Sequence, residues 1–296
     1  MAENTNAAAV AAPKKKKQTQ GAVTWARLKK DKMAMIGLVV FGLLVIMAIA
    51  APLLMTHDYS AQDLYNMFAK PSKEHWFGAD NMGRDIYSRI LYGAKYSLSI
   101  GVISIGCSSV IGVCLGALCG YYGGKFDLFF MRFLDIFASI PPTLLNIAIV
   151  ASLGAGLRSC IIALTVGRIT GFARMTRAQM MNVKGFEYVE AATAINASEG
   201  RIIFKHMLPN ALSPVLVSAT MGMASAVLAA AGLSFIGLGV QPPLPEWGAM
   251  LSEGRNYIRD YPHLVVFPGI FIMISVLSLN MFGDGLRDAM DPRLKR

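Results

Sequence analysis

Apolar residues in this chain gather into long runs, neither alternating as in a half-buried strand nor forming the narrow stripe of an amphipathic helix. Six such runs stand out. They cover Met33 to Met55, about Ser97 to Cys119, Phe126 to Leu153, about Leu157 to Phe172, a stretch from Ala211 past Ala231, and Leu264 to Gly283. At a helical rise of about 1.5 Å per residue, runs of this length suit the bilayer core. The pattern therefore predicts an all-α integral membrane protein of about six transmembrane helices. Polar intervals separate the runs. Residues 1 to 24 are rich in Ala and Gln with a Lys14–Lys17 run, and read as a disordered basic tail. Residues 56 to 95 carry both signs of charge, and a polar segment from about 186 to 210 divides the fourth run from the fifth. Ala48-Ile49-Ala50 mimics a signal-cleavage site, but its apolar core is too long for a secretory signal, so the first run is an uncleaved span.

Composition agrees with this class: 54% of the 296 residues are hydrophobic and only 16% charged. A net charge of +10 in a soluble chain would point to nucleic acid. Here its placement reads as a topology signal instead, and no nucleic-acid partner is expected. Most of the 28 Lys and Arg fall before Met33, around the 186–210 segment, or in the last ten residues. The positive-inside rule then puts both termini and that segment in the cytoplasm. Cys107, Cys114, Cys119 and Cys160 lie in apolar runs without metal-ligand spacing, and read as small buried hydrophobes. Gly123-Gly124-Lys125 lacks the first glycine and the Ser/Thr of a phosphate loop, so no nucleotide cofactor or metal is expected here.

Within the spans, Gly112, Gly116, Gly120 and Gly124 recur every four residues, a ridge along which another helix backbone can approach closely. The partner of that ridge is left open by the sequence. Arg132 and Asp135 are spaced to pair on one helix face, and Pro141-Pro142 predicts a kink in the third span. Asp85 and Arg89 have i,i+4 spacing on a helix whose Ile86 and Ile90 share a face suited to the membrane interface. Three prolines between Gln241 and Gly248 exclude a regular helix there, and Trp247 suits a membrane interface.

The 186–210 segment reads as two short helices with a break: one from Phe186 to Ile195, and a second capped by Ser198, with Pro209 ending the pattern. Ala191 and Ala192 leave a smooth patch beside Glu190, suited to docking. Here the chain resembles the permease subunits of bacterial ABC importers. Their cytoplasmic loop runs E-A-A, three residues, Gly, nine residues, then x-x-L-P, and Glu190, Ala191, Ala192, Leu208 and Pro209 match it. Asn196 stands where that family has Gly, and Asn also visits the left-handed region readily. Gly78–Leu98, Gln241–Gly248 and Asn280–Arg293 are similar to segments of the dipeptide/oligopeptide/nickel branch, so the resemblance covers nearly all of the chain after residue 25.

The resemblance implies the type I permease fold, with residues 25–95 holding the first helix and an extracytoplasmic segment, 96–286 the core transmembrane domain, and 287–296 a cytoplasmic tail. It also implies a coupling loop, carried by Glu190, Ala191, Ala192, Ala194, Asn196, Leu208 and Pro209, seated in a groove of an ATP-binding subunit. The implied partners are a homologous second permease subunit, two ATP-binding subunits, an extracytoplasmic solute-binding protein and the lipid bilayer of the inner membrane. Import of di- or oligopeptides is the expected activity, with a nickel–chelator or another small solute as the alternative. An ion-coupled secondary transporter would need a charged site at mid-membrane, whereas Asp127, Arg132 and Asp135 sit toward one end of their run.

Overall fold

The computed structural model describes residues 20–291; the reading of a disordered tail over residues 1–19 and the last residues of the C-terminal tail lie outside them. Residues 20–24, read as part of that tail, instead open helix α1 (Gln20–Leu28). Asp31 accepts hydrogen bonds from the backbone amides of Met33 and Ala34 and so starts α2 (Lys32–Leu54), the first apolar run. The second run belongs to a much longer helix, α3 (Ile86–Tyr122), of 37 residues. α4 (Gly124–Ala138) and α5 (Pro142–Leu153) divide the third run, and their axes differ by 85° across Ser139–Pro141. Pro141-Pro142 produces this break, because neither proline can donate to the helix ladder and the residue before each is pushed out of the helical region. The expected kink is thus a corner.

α6 (Leu157–Lys184) follows, then the short α7 (Glu187–Ala194), α8 (Glu199–Arg201), a π-helical turn over Ile202–Met207, and α9 (Leu208–Ala211). The chain closes with α10 (Ser213–Phe235), α11 (Trp247–Gly254) and α12 (His263–Met290). α12 extends the sixth run and takes in residues 287–290 of the expected tail. Among the described residues there is no β-strand, only an isolated bridge between Ala79 and Asp85. Among the described residues four helices, α2, α3, α10 and α12, are long and apolar enough to cross a membrane, or five spans if the bent α4–α5 pair counts as one. α6 falls short of that measure because Arg158, Arg168, Arg174, Arg177 and Lys184 interrupt it.

Packing explains the place of α6. A Cβ added at Gly112 would lie 2.5 Å from Phe172 Cβ, one at Gly116 2.8 Å from Thr176 Cβ, and one at Gly120 2.6 Å from Met180 Cβ. Contacts therefore climb in step, and α3 and α6 run parallel in close contact. The glycine ridge is used inside the chain. Gly124 is not part of it: it lies beyond the end of α3 at φ +56°, with open space where a side chain would go. Because α3 and α6 are parallel, the α4–α5 pair must return the chain from the end of one to the start of the other. α10 runs the opposite way, with Gly101 against Val227 and Gly222 against Ile105. α12 runs back against α10 and α2, with Gly283 on Met221, Gly37 on Phe282 and Gly285 on Ala34. Both described ends of the chain thus lie at the same end of the bundle as α7.

Two other expectations, for the cysteines and for Trp247, are not met, the first because apolar residues of a membrane chain face lipid as readily as core. α2 is apolar on every side, yet only 17% of its most apolar window is buried. Cys119 and Cys160 are buried as expected, but Cys107 and Cys114 are exposed. Trp247 is fully buried rather than interfacial, and its Nε1 donates to Ile90 O at 3.0 Å. It is placed by Glu246, which caps α11 by accepting from Gly248 N and Ala249 N.

Candidate functional site

Two polar regions stand at opposite ends of α3, about 55 Å apart at the helical rise. At its C-terminal end lies α7. Val189 and Ala192, three residues apart on one helical face, are buried with Ala117, Met180, Val183, Ile202, Ile203 and Met207. Glu190, Ala191 and Ala194 face outward with Phe186, Tyr188 and Ile195, the last 80% exposed. Ala192, read as part of the docking patch, is therefore an inward anchor, and a small residue serves it because the helix lies close to its support. Glu187 and Glu190 in the first turn complement the positive end of the helix dipole.

Asn196 has φ +53°, so it takes the left-handed conformation that favours Gly. Asn196 N donates to Thr193 O at 2.9 Å and Ala197 N to Ala192 O at 3.1 Å, the paired bonds of a Schellman cap. Ser198 precedes α8 but makes no side-chain cap, contrary to expectation. Instead Tyr122 Oη donates to Glu199 Oε2 at 2.9 Å, tying the segment back to α3. Pro209 does not end the helical course either. It sits in the first turn of α9, and the π-turn before it, with Leu208 N donating to Ile203 O, supplies the wider winding that an internal proline requires. Leu208 packs on the same cluster as Val189, while Pro209 is exposed. Glu190, Ala191, Ala194 and Asn196 are thus brought onto one exposed surface, while Ala192 and Leu208 lie behind it.

α4 is fastened to α6 beside this surface. Arg177 donates from Nε and a terminal nitrogen to the two oxygens of Asp127, each at 2.5 Å, and Arg174 binds Asp135 at 2.5 Å. The expected Arg132–Asp135 pair is present but long, at 3.6 Å, with both groups exposed. A groove of about 1380 Å³ opens between α1, α6, α10 and α12, with Trp25, Arg168, Gln179, Asn210, Ser218 and Ser225 on its walls.

At the N-terminal end of α3, Asp85 caps the helix by accepting from Ser88 N at 2.8 Å. It does not pair with Arg89. That guanidinium is buried and binds Asp80 and Glu253, and Arg84 also joins both carboxylates, at 2.7 and 2.8 Å. The interfacial helix expected from Ile86 and Ile90 is likewise absent, both residues being core. Sequence reasoning missed this network because Glu253 lies far along the chain, on α11.

Known proteins decide what this architecture is. The model of the binding-protein-dependent transport system inner membrane component matches residues 112–296, and that of the N-terminal transmembrane domain of oligopeptide transport permease C matches 19–71. The chain belongs to this permease family. The dipeptide transport system permease protein DppC of Alkalihalophilus pseudofirmus is 45% identical over 269 residues, covering 91% of this chain and 88% of that one. The oligopeptide transport system permease protein OppC of Bacillus subtilis is 41% identical, with the same coverage. The glutathione transport system permease protein GsiD of Pectobacterium atrosepticum is 40% identical over 92% of this chain and 90% of its own. Among solved structures, a chain of the inward-facing MetNI methionine ABC transporter matches at TM-score 0.56 and 24% identity, over 70% of this chain and 98% of that one. That likeness shows the fold. The permease is thus a multi-pass membrane component of an ABC transporter.

Proposed function

We propose that this permease is one of two homologous membrane subunits of an ATP-driven importer of di- or oligopeptides, and that α7 is its coupling helix. The cargo reading is supported by relatives named for dipeptide, oligopeptide and glutathione transport, all of them peptides. Two ATP-binding subunits carry out hydrolysis, so this chain is not itself the enzyme, and an extracytoplasmic binding protein delivers the cargo. Arg27, Lys29, Lys30, Lys32, Lys184, Arg201 and Lys205 cluster at the α7 end of the bundle, which supports a cytoplasmic position for it and for both termini. Closure of the ATP-binding pair on ATP moves α7, and rocking of the spans against the second permease alternates access to a shared pathway. The groove between α6, α10 and α12 supplies part of that pathway.

The observation that carries the coupling role is the anchoring of α7. An eight-residue helix pinned by Val189 and Ala192, with an acidic and small-residue surface outward, can transmit displacement without unfolding. In the assembled transporter, Glu190→Lys is expected to abolish transport and uncouple ATP hydrolysis from loaded binding protein. Cargo binding to the isolated binding protein is expected to stay unchanged. A cysteine at Ala194 is expected to crosslink to one in the groove of the ATP-binding subunit. Transport at the parental rate together with no crosslink refutes the assignment.

A further inference from the structure

The other end of α3 carries a group of side chains that the transport reading does not use. His57 follows α2, His75 lies in the loop beyond, and Asp85 starts α3. One potential ligand atom from each lies within 4.8 Å of the other two. His75 and Asp85 are buried, and His57 is half-buried, leaving one side open to solvent. His75 and Asp85 fall between the two family-model matches, which cover 19–71 and 112–296, and His57 falls within the first.

The geometry of the rings is what distinguishes this group from an ordinary ion pair. His75 Nδ1 lies 2.9 Å from Asp85 Oδ1, and His57 Nδ1 lies 3.0 Å from Thr56 Oγ1. His75 Nδ1 and Asp85 Oδ1 face each other, so a divalent ion can take the place of the proton they share while the His75 ring keeps its proton on Nε2; His57, whose Nδ1 is held by Thr56 Oγ1, offers its Nε2. The rings lie nearly face to face, with centroids 4.7 Å apart and planes 31° from parallel. A carboxylate has about four lone-pair sites. Asp85 uses one for His75 and one for Ser88 N, which leaves capacity for a cation. Its partner among the described ion pairs is His75 alone, an imidazole that is charged only when both ring nitrogens are protonated.

The backbone is fixed as well. Ser88 Oγ accepts from His57 N at 3.2 Å, while Ser88 N caps onto Asp85, so one serine holds both ligand-bearing segments. Ser72 Oγ accepts from His75 N at 3.1 Å and sets the third. Three electron-pair donors are thus held together in advance.

We propose that His57, His75 and Asp85 bind a late first-row divalent cation, Zn²⁺ by ligand type, at the end of the permease opposite α7. Two imidazoles and one carboxylate suit Zn²⁺, with Ni²⁺ and Cu²⁺ sharing the same chemistry, and three protein ligands leave a position for water. Metal–ligand bonds of about 2.1 Å put tetrahedral ligands about 3.4 Å apart. The 2.9 Å His75–Asp85 pair must therefore open slightly, and His57, the least buried of the three, is the residue that turns inward. The ion joins the segment after α2 to the start of α3.

The test uses the full-length chain in detergent, purified without a polyhistidine tag and stripped with chelator. Equilibrium dialysis against low-micromolar Zn²⁺, followed by elemental analysis, is expected to give one ion per chain. His57→Gln is expected to lose it, whereas His206→Gln, at the far end, is expected to retain it. Co²⁺ substituted for Zn²⁺ is expected to give visible ligand-field absorption that His57→Gln removes. His75 is buried and its replacement is expected to disturb folding, so the half-exposed His57 carries the test, with equal metal-free melting of variant and parent as the folding control. A parent chain that retains no Zn²⁺, or a His57→Gln chain that retains as much as the parent, overturns the proposal. It stands or falls independently of the coupling role of α7.

Discussion

Gly116 is the most informative single position in the bundle. A Cβ added there meets Ala173 O, Thr176 Cβ at 2.8 Å and Arg177 N at 3.0 Å, all on α6. Two carbons need about 3.5 Å, so Gly116→Ala forces α3 and α6 apart by roughly 0.7 Å or more. A gap of that size forfeits a quarter to a half of each dispersion contact along the seam. Overpacking of this kind typically costs about 1–3 kcal/mol, and the helix-propensity gain of Ala over Gly returns about 0.5–1 kcal/mol. A net loss of about 1–2 kcal/mol is expected, and Gly116→Leu should fail to give a folded chain. The comparison is Gly106→Ala on the same helix, where nothing lies within 4 Å of the added carbon. That variant should be as stable as the parent or slightly more so. Thermal unfolding of the three chains in one detergent measures both directions. If Gly116→Ala melts with or above Gly106→Ala, the α3–α6 seam is not closely packed and the parallel arrangement is wrong.

Ala192→Arg and Ala194→Arg, two residues apart, should differ in kind. The first puts a charge among Ala117, Met180 and Met207 and should lower the melting temperature of the isolated chain, whereas the second should leave melting unchanged and impair transport alone. Equal melting would place Ala192 on the surface. Asn196→Gly should be neutral within a few tenths of a kcal/mol, while Asn196→Val should cost about 1–2 kcal/mol, because a β-branched residue resists φ +53°. Denaturant or thermal unfolding separates these outcomes. In a cysteine-free background, Lys73→Cys should react with an impermeant thiol reagent in intact cells and Ser198→Cys only in opened membranes. Equal labelling would refute the orientation.

The apolar runs made the spans and their class legible, because a length of continuous hydrophobicity has few other uses. The α7 segment was legible for the opposite reason, a polar stretch with its own punctuation. Asn196, standing where the resembled loop has Gly, takes the left-handed conformation that the match and the chemistry of Asn together implied. What the runs concealed was inside and outside. In a soluble chain Cys107 and Cys114 would be buried by their surroundings, but lipid is as apolar as a core, and packing selects small residues rather than oily ones. Ala192 fits that rule, and its spacing from Val189 carried the signal. Local rules failed at Asp85 and Arg89, where i,i+4 spacing lost to partners reached through the fold: His75 for one, Asp80 and Glu253 for the other. Proline marked the break between α4 and α5, but the size of the turn follows from where α6 must begin.

The unbroken length of α3 has a mechanical consequence. Apart from Gly106, its glycines face α6, α10 and the loop before α11, so most positions that would otherwise let a helix bend are filled by contacts: Gly93 against Pro245, Gly101 against Val227 and Gly112, Gly116 and Gly120 against α6. One end is tied to α7 through Ala117 and to α8 through Tyr122, and the other to α11 through Arg89 and Glu253. Such a helix behaves as a strut. Displacement applied at α7 arrives at the far face with little lost to flexing, and compliance is left to the corner between α4 and α5, where the chain has no ladder to stretch.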